Sequence, residues 1–142
     1  FALLLAVNAW YGGKLGSTVL NNTLGANNTW AQYQAKAGRG VTYEIAAKTA
    51  TDAKLKAEFQ AEKERMDSDK KELAVKAKEM EAVREEAKKS SPWIGYASTA
   101  YQLAIVVLSA SILAVSMGMF WGSFLVAGLG VLLSAQGVFL FF

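Results

Sequence analysis

Hydrophobic and polar positions divide this chain into three blocks. Residues 1–13 form an uncharged, mostly apolar run. Residues 14–89 hold every charged side chain, and residues 90–142 hold none. A water-facing protein spreads charge over each segment that meets solvent. A long run without any charge points to hydrocarbon as the surrounding medium. The last block divides into two apolar segments, from about Trp93 to Met117 and from about Phe120 to Phe142. Each exceeds the roughly 20 residues that a bilayer crossing takes. The link Met117-Gly-Met-Phe-Trp121 is short and uncharged, so the pair reads as a tight antiparallel transmembrane hairpin. Ser91-Pro92 supplies its helix start, with Ser as N-cap and Pro at the first helical position. The first block is too short to span. It reads as the second half of a transmembrane helix, and the chain as a fragment or processed form. Trp10, Tyr11, Trp93 and Trp121 are the expected anchors at the membrane–water interface.

The middle block is helical by composition. Residues 12–29 are rich in Gly, Asn, Ser and Thr, which extends the first helix or makes a loose connector. A helix start is expected at Asn28 or Thr29, with Trp30, Tyr33 and Ala37 on one face. Gly38-Arg39-Gly40 is expected to weaken or bend that helix. From Val41 to Lys89 strong helix formers dominate. Thr49 and Asp52 have capping-box spacing but lie within the run and read as solvated residues. Phe59, Met66, Leu73, Met80 and Ala87 recur every seven residues, a narrow apolar seam for docking onto another helix in this chain or a partner. Glu62, Lys63, Asp69 and Lys70 interrupt the second apolar position that a full coiled coil requires. Met66-Asp67-Ser68-Asp69 is the expected reversal, which gives domains of 1–13 (end of a first span), 14–40 (connector and short helix), 41–91 (charged extramembrane helical hairpin) and 92–142 (transmembrane pair). The fold class is an all-α membrane protein.

Composition sharpens what this architecture can do. The chain has no His and no Cys. It therefore contains no Cys–His zinc set, no histidine haem ligand and no Ser–His–Asp triad. No catalytic residue, metal site or cofactor is expected. The net charge of +3 is mixed along the middle block, which leaves no basic patch for nucleic acid. Gly13-Lys14 and Ser68-x-x-Lys71 lack the order and companion motifs of phosphate-binding and nucleophile sequences. Within the apolar pair, Ala100, Ala104, Gly128, Gly130 and Ser134 are small residues of the kind that let helices approach in lipid. Gln102 and Gln136 are expected to hydrogen-bond to neighbouring helices.

Three stretches carry a family resemblance. Thr29-Trp-Ala-Gln-Tyr-Gln-Ala-Lys36 is close to a Thr-Trp-x-x-Tyr-Gln-Ala-Lys signature, with Thr29, Trp30, Tyr33, Gln34 and Lys36 at its fixed positions. Lys71 to Glu81 and Tyr101 to Ala110 resemble its second and third blocks. In order and spacing the chain resembles the bacterial inner-membrane family called domain of unknown function forty-three thirty-seven. Gly38-Arg39-Gly40 departs from the continuous helix expected there. The resemblance implies a bacterial membrane protein with one N-terminal and two C-terminal spans, and no known reaction.

The expected function is a non-catalytic accessory or scaffold subunit of a larger membrane complex, partnered by lipids and by other subunits or copies of itself. The alternative is a homo-oligomeric pore or small transporter. Lys14, Lys88 and Lys89 favour a cytoplasmic charged loop, whereas the family resemblance, with a basic segment before its first span, implies a periplasmic one. Charge substitution at Phe59, Met66 or Leu73 is expected to release a partner.

Overall fold

The computed structural model describes residues 1–140. Among them are three α-helices and no strand: α1 (Ala2–Thr49), α2 (Ala53–Leu113) and α3 (Met117–Phe139). α2 and α3 each contain a segment long and apolar enough to cross a membrane. The expected end of the third segment at Phe142 lies outside the described residues.

The helices are longer than the local signals predict. α1 runs through the Gly/Asn/Ser/Thr stretch and through Gly38-Arg39-Gly40 without a break. Thr18, Thr29, Thr42 and Thr49 each return their hydroxyl to the carbonyl four residues earlier, so these side chains are satisfied inside a helix. α2 likewise runs through both Met66–Asp69 and Ser91-Pro92. The reversal is not at Met66–Asp69 but at Ala50-Thr51-Asp52. Asp52 starts α2: its carbonyl accepts from Lys56 N–H and its Oδ1 accepts from Lys54 N–H at 2.8 Å. That is N-cap geometry, so the polar spacing at Thr49 and Asp52 marks the turn. Met66 is buried, and Asp67 and Asp69 bond to lysines, so the polar cluster there is a helix face. Pro92 is exposed and costs α2 the bond to the Lys88 carbonyl. Ala87, Ser90, Ile94 and Ala97 form a buried stripe on both sides of it, which holds the helix through that position.

The second reversal is Ala114-Val115-Ser116, earlier than expected. Ser116 N–H donates to the Ser111 carbonyl and Val115 N–H to the Ile112 carbonyl, the paired bonds of a Schellman ending. Val115 takes the left-handed conformation this ending needs, at φ 49°. Ser116 then caps α3 by accepting from Met119 N–H.

The chain packs as two units. One is Asn21–Val83; the other is Phe1–Leu20 with the chain from Arg84 onward. In the first, α1 and α2 are antiparallel. Gly25 lies against Met80, Lys36 meets Asp69, Gly40 lies against Met66, and Tyr43 stacks on Phe59. On α1 the inward positions Ala26, Tyr33, Gly40 and Ala47 recur every seven residues, the spacing of a coiled-coil seam. In the second unit, α2 presents Ile94, Ala97, Tyr101 and Ala104 to the interior. α3 presents Ser123, Ala127, Gly130 and Gly137. Asn8 on α1 is buried among them.

Candidate functional site

The features that organise the Asn21–Val83 unit are hydrogen bonds and close contacts between its two helices. Met80 Sδ would stand 2.9 Å from a methyl placed on Gly25, and Met66 Cβ 3.7 Å from one on Gly40. Large residues of α2 thus fill the space left by small residues of α1. Phe59, Leu73 and Met80 are half-buried and Met66 is 3% exposed. The predicted docking seam is therefore occupied, and its occupant is α1 of the same chain. The polar residues that interrupt the seam pair at its edges. Lys63 and Lys48 both contact Glu44, at 3.0 and 2.7 Å, and hold its carboxyl down to about 2 through hydrogen bonds and charge. Lys36 donates to Asp69 at 2.6 Å and lowers that carboxyl. Asp67 is lowered, and Lys70 raised, by the hydrogen bond between them.

The Thr-Trp-x-x-Tyr-Gln-Ala-Lys stretch lies on this seam. Thr29 is buried and donates to the Gly25 carbonyl, with Met80 Sδ at 4.0 Å. Trp30 Nε1 donates to Glu81 at 2.9 Å, and Tyr33 meets the Trp30 ring edge-on. Lys36 holds Asp69. Gln34 is exposed. Thr29, Trp30 and Lys36 bind α1 to α2 and Tyr33 braces Trp30.

In the other unit, neutral polar side chains form a directed chain. Asn8 Nδ2 donates to the Ile94 carbonyl at 2.8 Å and to Ser98 Oγ at 2.7 Å. Ser134 Oγ donates its one proton to Asn8 Oδ1 at 2.9 Å. Tyr101 and Ser134 are 3.0 Å apart, so the tyrosine hydroxyl is the donor there. Asn8 thereby fills both donors and its acceptor, and the chain ties α1, α2 and α3 together. Gly130 packs under the Tyr101 ring and Gly137 against Ile94 and Trp93. An apolar groove of about 440 Å³ opens beside this chain, lined by Leu4, Val7, Tyr11, Val131 and Val138 among others, with Asn8, Tyr101 and Ser134 in its wall. Their chemistry is to fix helix register.

The remaining predicted residues separate by face. Ala104 and Gln136 are buried and Ala100 is half-buried; Gln102 and Gly128 are exposed. Trp10 is exposed with Lys14 Nζ 5.9 Å from its ring centre, and Trp121 is exposed beside Phe120 and Phe124. Trp93 is half-buried and meets Tyr96 edge-on, and Tyr11 is half-buried in the groove wall. Sequence reasoning missed Asn8, Ser98 and Tyr101 as site residues. The available signal was one amide and one phenol inside otherwise apolar runs. It also missed Gly25 and Gly40, of which Gly40 had a legible signal, standing fourteen residues after Ala26 and seven before Ala47.

A protein-family model described as Domain of unknown function (DUF4337) matches residues 1–140. No curated protein and no solved structure matches the chain.

Proposed function

We propose that this chain, which belongs to the domain of unknown function family DUF4337, is a non-catalytic, multi-pass scaffold subunit of the bacterial inner membrane. The observation that carries the reading is the contrast between the inside and outside of the unit formed by Phe1–Leu20 and the chain from Arg84 onward. Its interior polar groups are neutral and bonded to one another, as a lipid-embedded unit requires. From Ser90 onward its described outward side chains carry no charge, and many are large and apolar: Leu113 is 87% exposed and Leu125 75%. Such a surface is costly in water and ordinary in lipid. On this reading the start of α1, carrying Asn8, belongs to a third crossing.

The occupied seam moves the partner surface. Phe59, Met66 and Leu73 hold the two helices of the Asn21–Val83 unit together, so charge there disrupts the unit itself. The large apolar residues left outward are Leu24, Val41 and Ile45 on α1 and Leu55, Val75 and Val83 on α2. Val41 and Ile45 are one helical turn apart and share a face. Extraction from the native membrane in mild detergent, followed by native mass spectrometry, tests the proposal. The expected result is a defined mass that includes other subunits and that is lost in a Val41→Asp/Ile45→Asp variant with unchanged helical content. A mass made only of this chain overturns the accessory role.

A further inference from the structure

We propose that the chain dimerises with a second copy of itself through the outward face of the apolar part of α2, with Gln102 pairing with Gln102 of the other copy. The proposal rests on the membrane reading above.

The helical period puts Gly95, Thr99, Gln102, Val106 and Ser109 on one face of α2, about 140° around the helix from the buried stripe Ile94, Ala97, Tyr101, Ala104. All five are exposed. A methyl placed on Gly95 meets nothing within 4 Å. Thr99 and Ser109 donate their hydroxyls to the carbonyls of Gly95 and Ile105 and need no outside partner. Gln102 differs: its amide has no hydrogen-bond partner among the described residues. It is placed midway between Lys89, the last charged residue, and the reversal at Ala114–Ser116. At about 1.5 Å per residue, roughly 20 Å of helix separates it from either end, which is the depth of the bilayer centre. No water is available there, and an unpaired amide is strongly disfavoured.

An amide carries a donor and an acceptor, so two of them satisfy each other. Copies of one chain inserted in the same direction place residue 102 at the same depth. A two-fold axis through that point brings the two glutamines together with no further adjustment. Gly95, Thr99 and Ser109 on the same face are small, which lets the backbones approach. A different subunit would need its own polar group at that depth, and a second copy has one by construction.

The absence of native cysteine makes the test direct. Full-length chain carrying Val106→Cys is expressed in bacterial membranes and oxidised, with Leu125→Cys on α3 as the control. Val106→Cys should give a disulfide-linked dimer and Leu125→Cys should not. Adding Gln102→Leu should weaken association roughly tenfold, and Gln102→Asn should restore most of it. Cross-linking unaffected by Gln102→Leu overturns the glutamine pair. Cross-linking only to a protein of another mass, or none in membranes that retain the chain through alkaline carbonate washing, overturns the dimer and leaves the membrane reading standing. Release of the chain by carbonate overturns both.

Discussion

At the residue scale, two glycines about 3 Å of helix rise apart behave oppositely because of what faces them. A methyl on Gly130 would stand 2.7 and 2.8 Å from ring atoms of Tyr101. That ring is held by its hydroxyl on Ser134 and cannot swing clear without breaking the polar chain. Gly130→Ala should therefore destabilise by about 1–3 kcal/mol, the usual range for overpacking. A methyl on Gly128 meets nothing within 4 Å, so Gly128→Ala should be neutral or stabilise by up to about 1 kcal/mol through helix propensity. Thermal unfolding of both variants in the same detergent checks the pair, and equal midpoints would refute the packing argument. Val115 is a third case. A β-branched residue at φ 49° is strained, and its side chain is 90% exposed, so it has no packing to lose. Val115→Gly should raise stability by about 0.5–1 kcal/mol after the larger chain entropy of glycine is set against the relieved strain. An unchanged or lower midpoint would show that the turn carries no such strain.

At the element scale, the pairing of α1 with α2 in the Asn21–Val83 unit has a pH signature whose sign follows from its carboxylates. Glu44 is held down to about 2 by Lys48 and Lys63, and Asp69 is lowered by Lys36. A carboxyl with a lower value folded than unfolded contributes stability that is complete above its unfolded value. For Glu44 that contribution is lost as pH falls from about 4.5 toward 2. Circular-dichroism melts should show the midpoint falling through this window, with a smaller fall in Glu44→Gln. An identical pH dependence in the variant would remove Glu44 from the account. The same helices show what their sequence makes legible. The apolar repeat at Phe59, Met66, Leu73 and Met80 predicts a docked helix, and the structure supplies one from within the chain. The reversal was harder to place, because Asp67-Ser68-Asp69 and Thr49 to Asp52 carry similar local turn chemistry. Met66 decides between them through burial against Gly40, a contact between positions far apart in sequence. Pro92 likewise reads as a helix start locally, and burial on both sides overrides it.

At the scale of the whole molecule, the charge pattern and the reversals lead to a definite topology under the membrane reading. The two apolar segments were legible because residues 90–142 carry no charge, whereas the link, expected at Met117–Trp121, lies at Ala114–Ser116, where no local signal marks it. The polar chain from Tyr101 to Asn8 was not, because Asn8 meets Ser134 across most of the chain's length and no local pattern announces the contact. If the apolar part of α2 crosses a bilayer, Lys89 and Ala114 lie on opposite sides of it. Thr51, within the charged block that ends at Lys89, lies on the same side as Lys89. Single-cysteine variants at these three exposed positions, in a chain with no native thiol, report sidedness directly. A membrane-impermeant maleimide applied to spheroplasts should label either Lys89→Cys and Thr51→Cys together or Ala114→Cys alone. Inverted vesicles should give the complementary set, and Leu125→Cys should label only after detergent. The set labelled in spheroplasts would also assign the charged block to the periplasm or the cytoplasm, which basic-residue counting and family resemblance answer differently. Labelling of Lys89→Cys and Ala114→Cys from the same side would mean that α2 does not cross, and the scaffold and dimer proposals would fall with it.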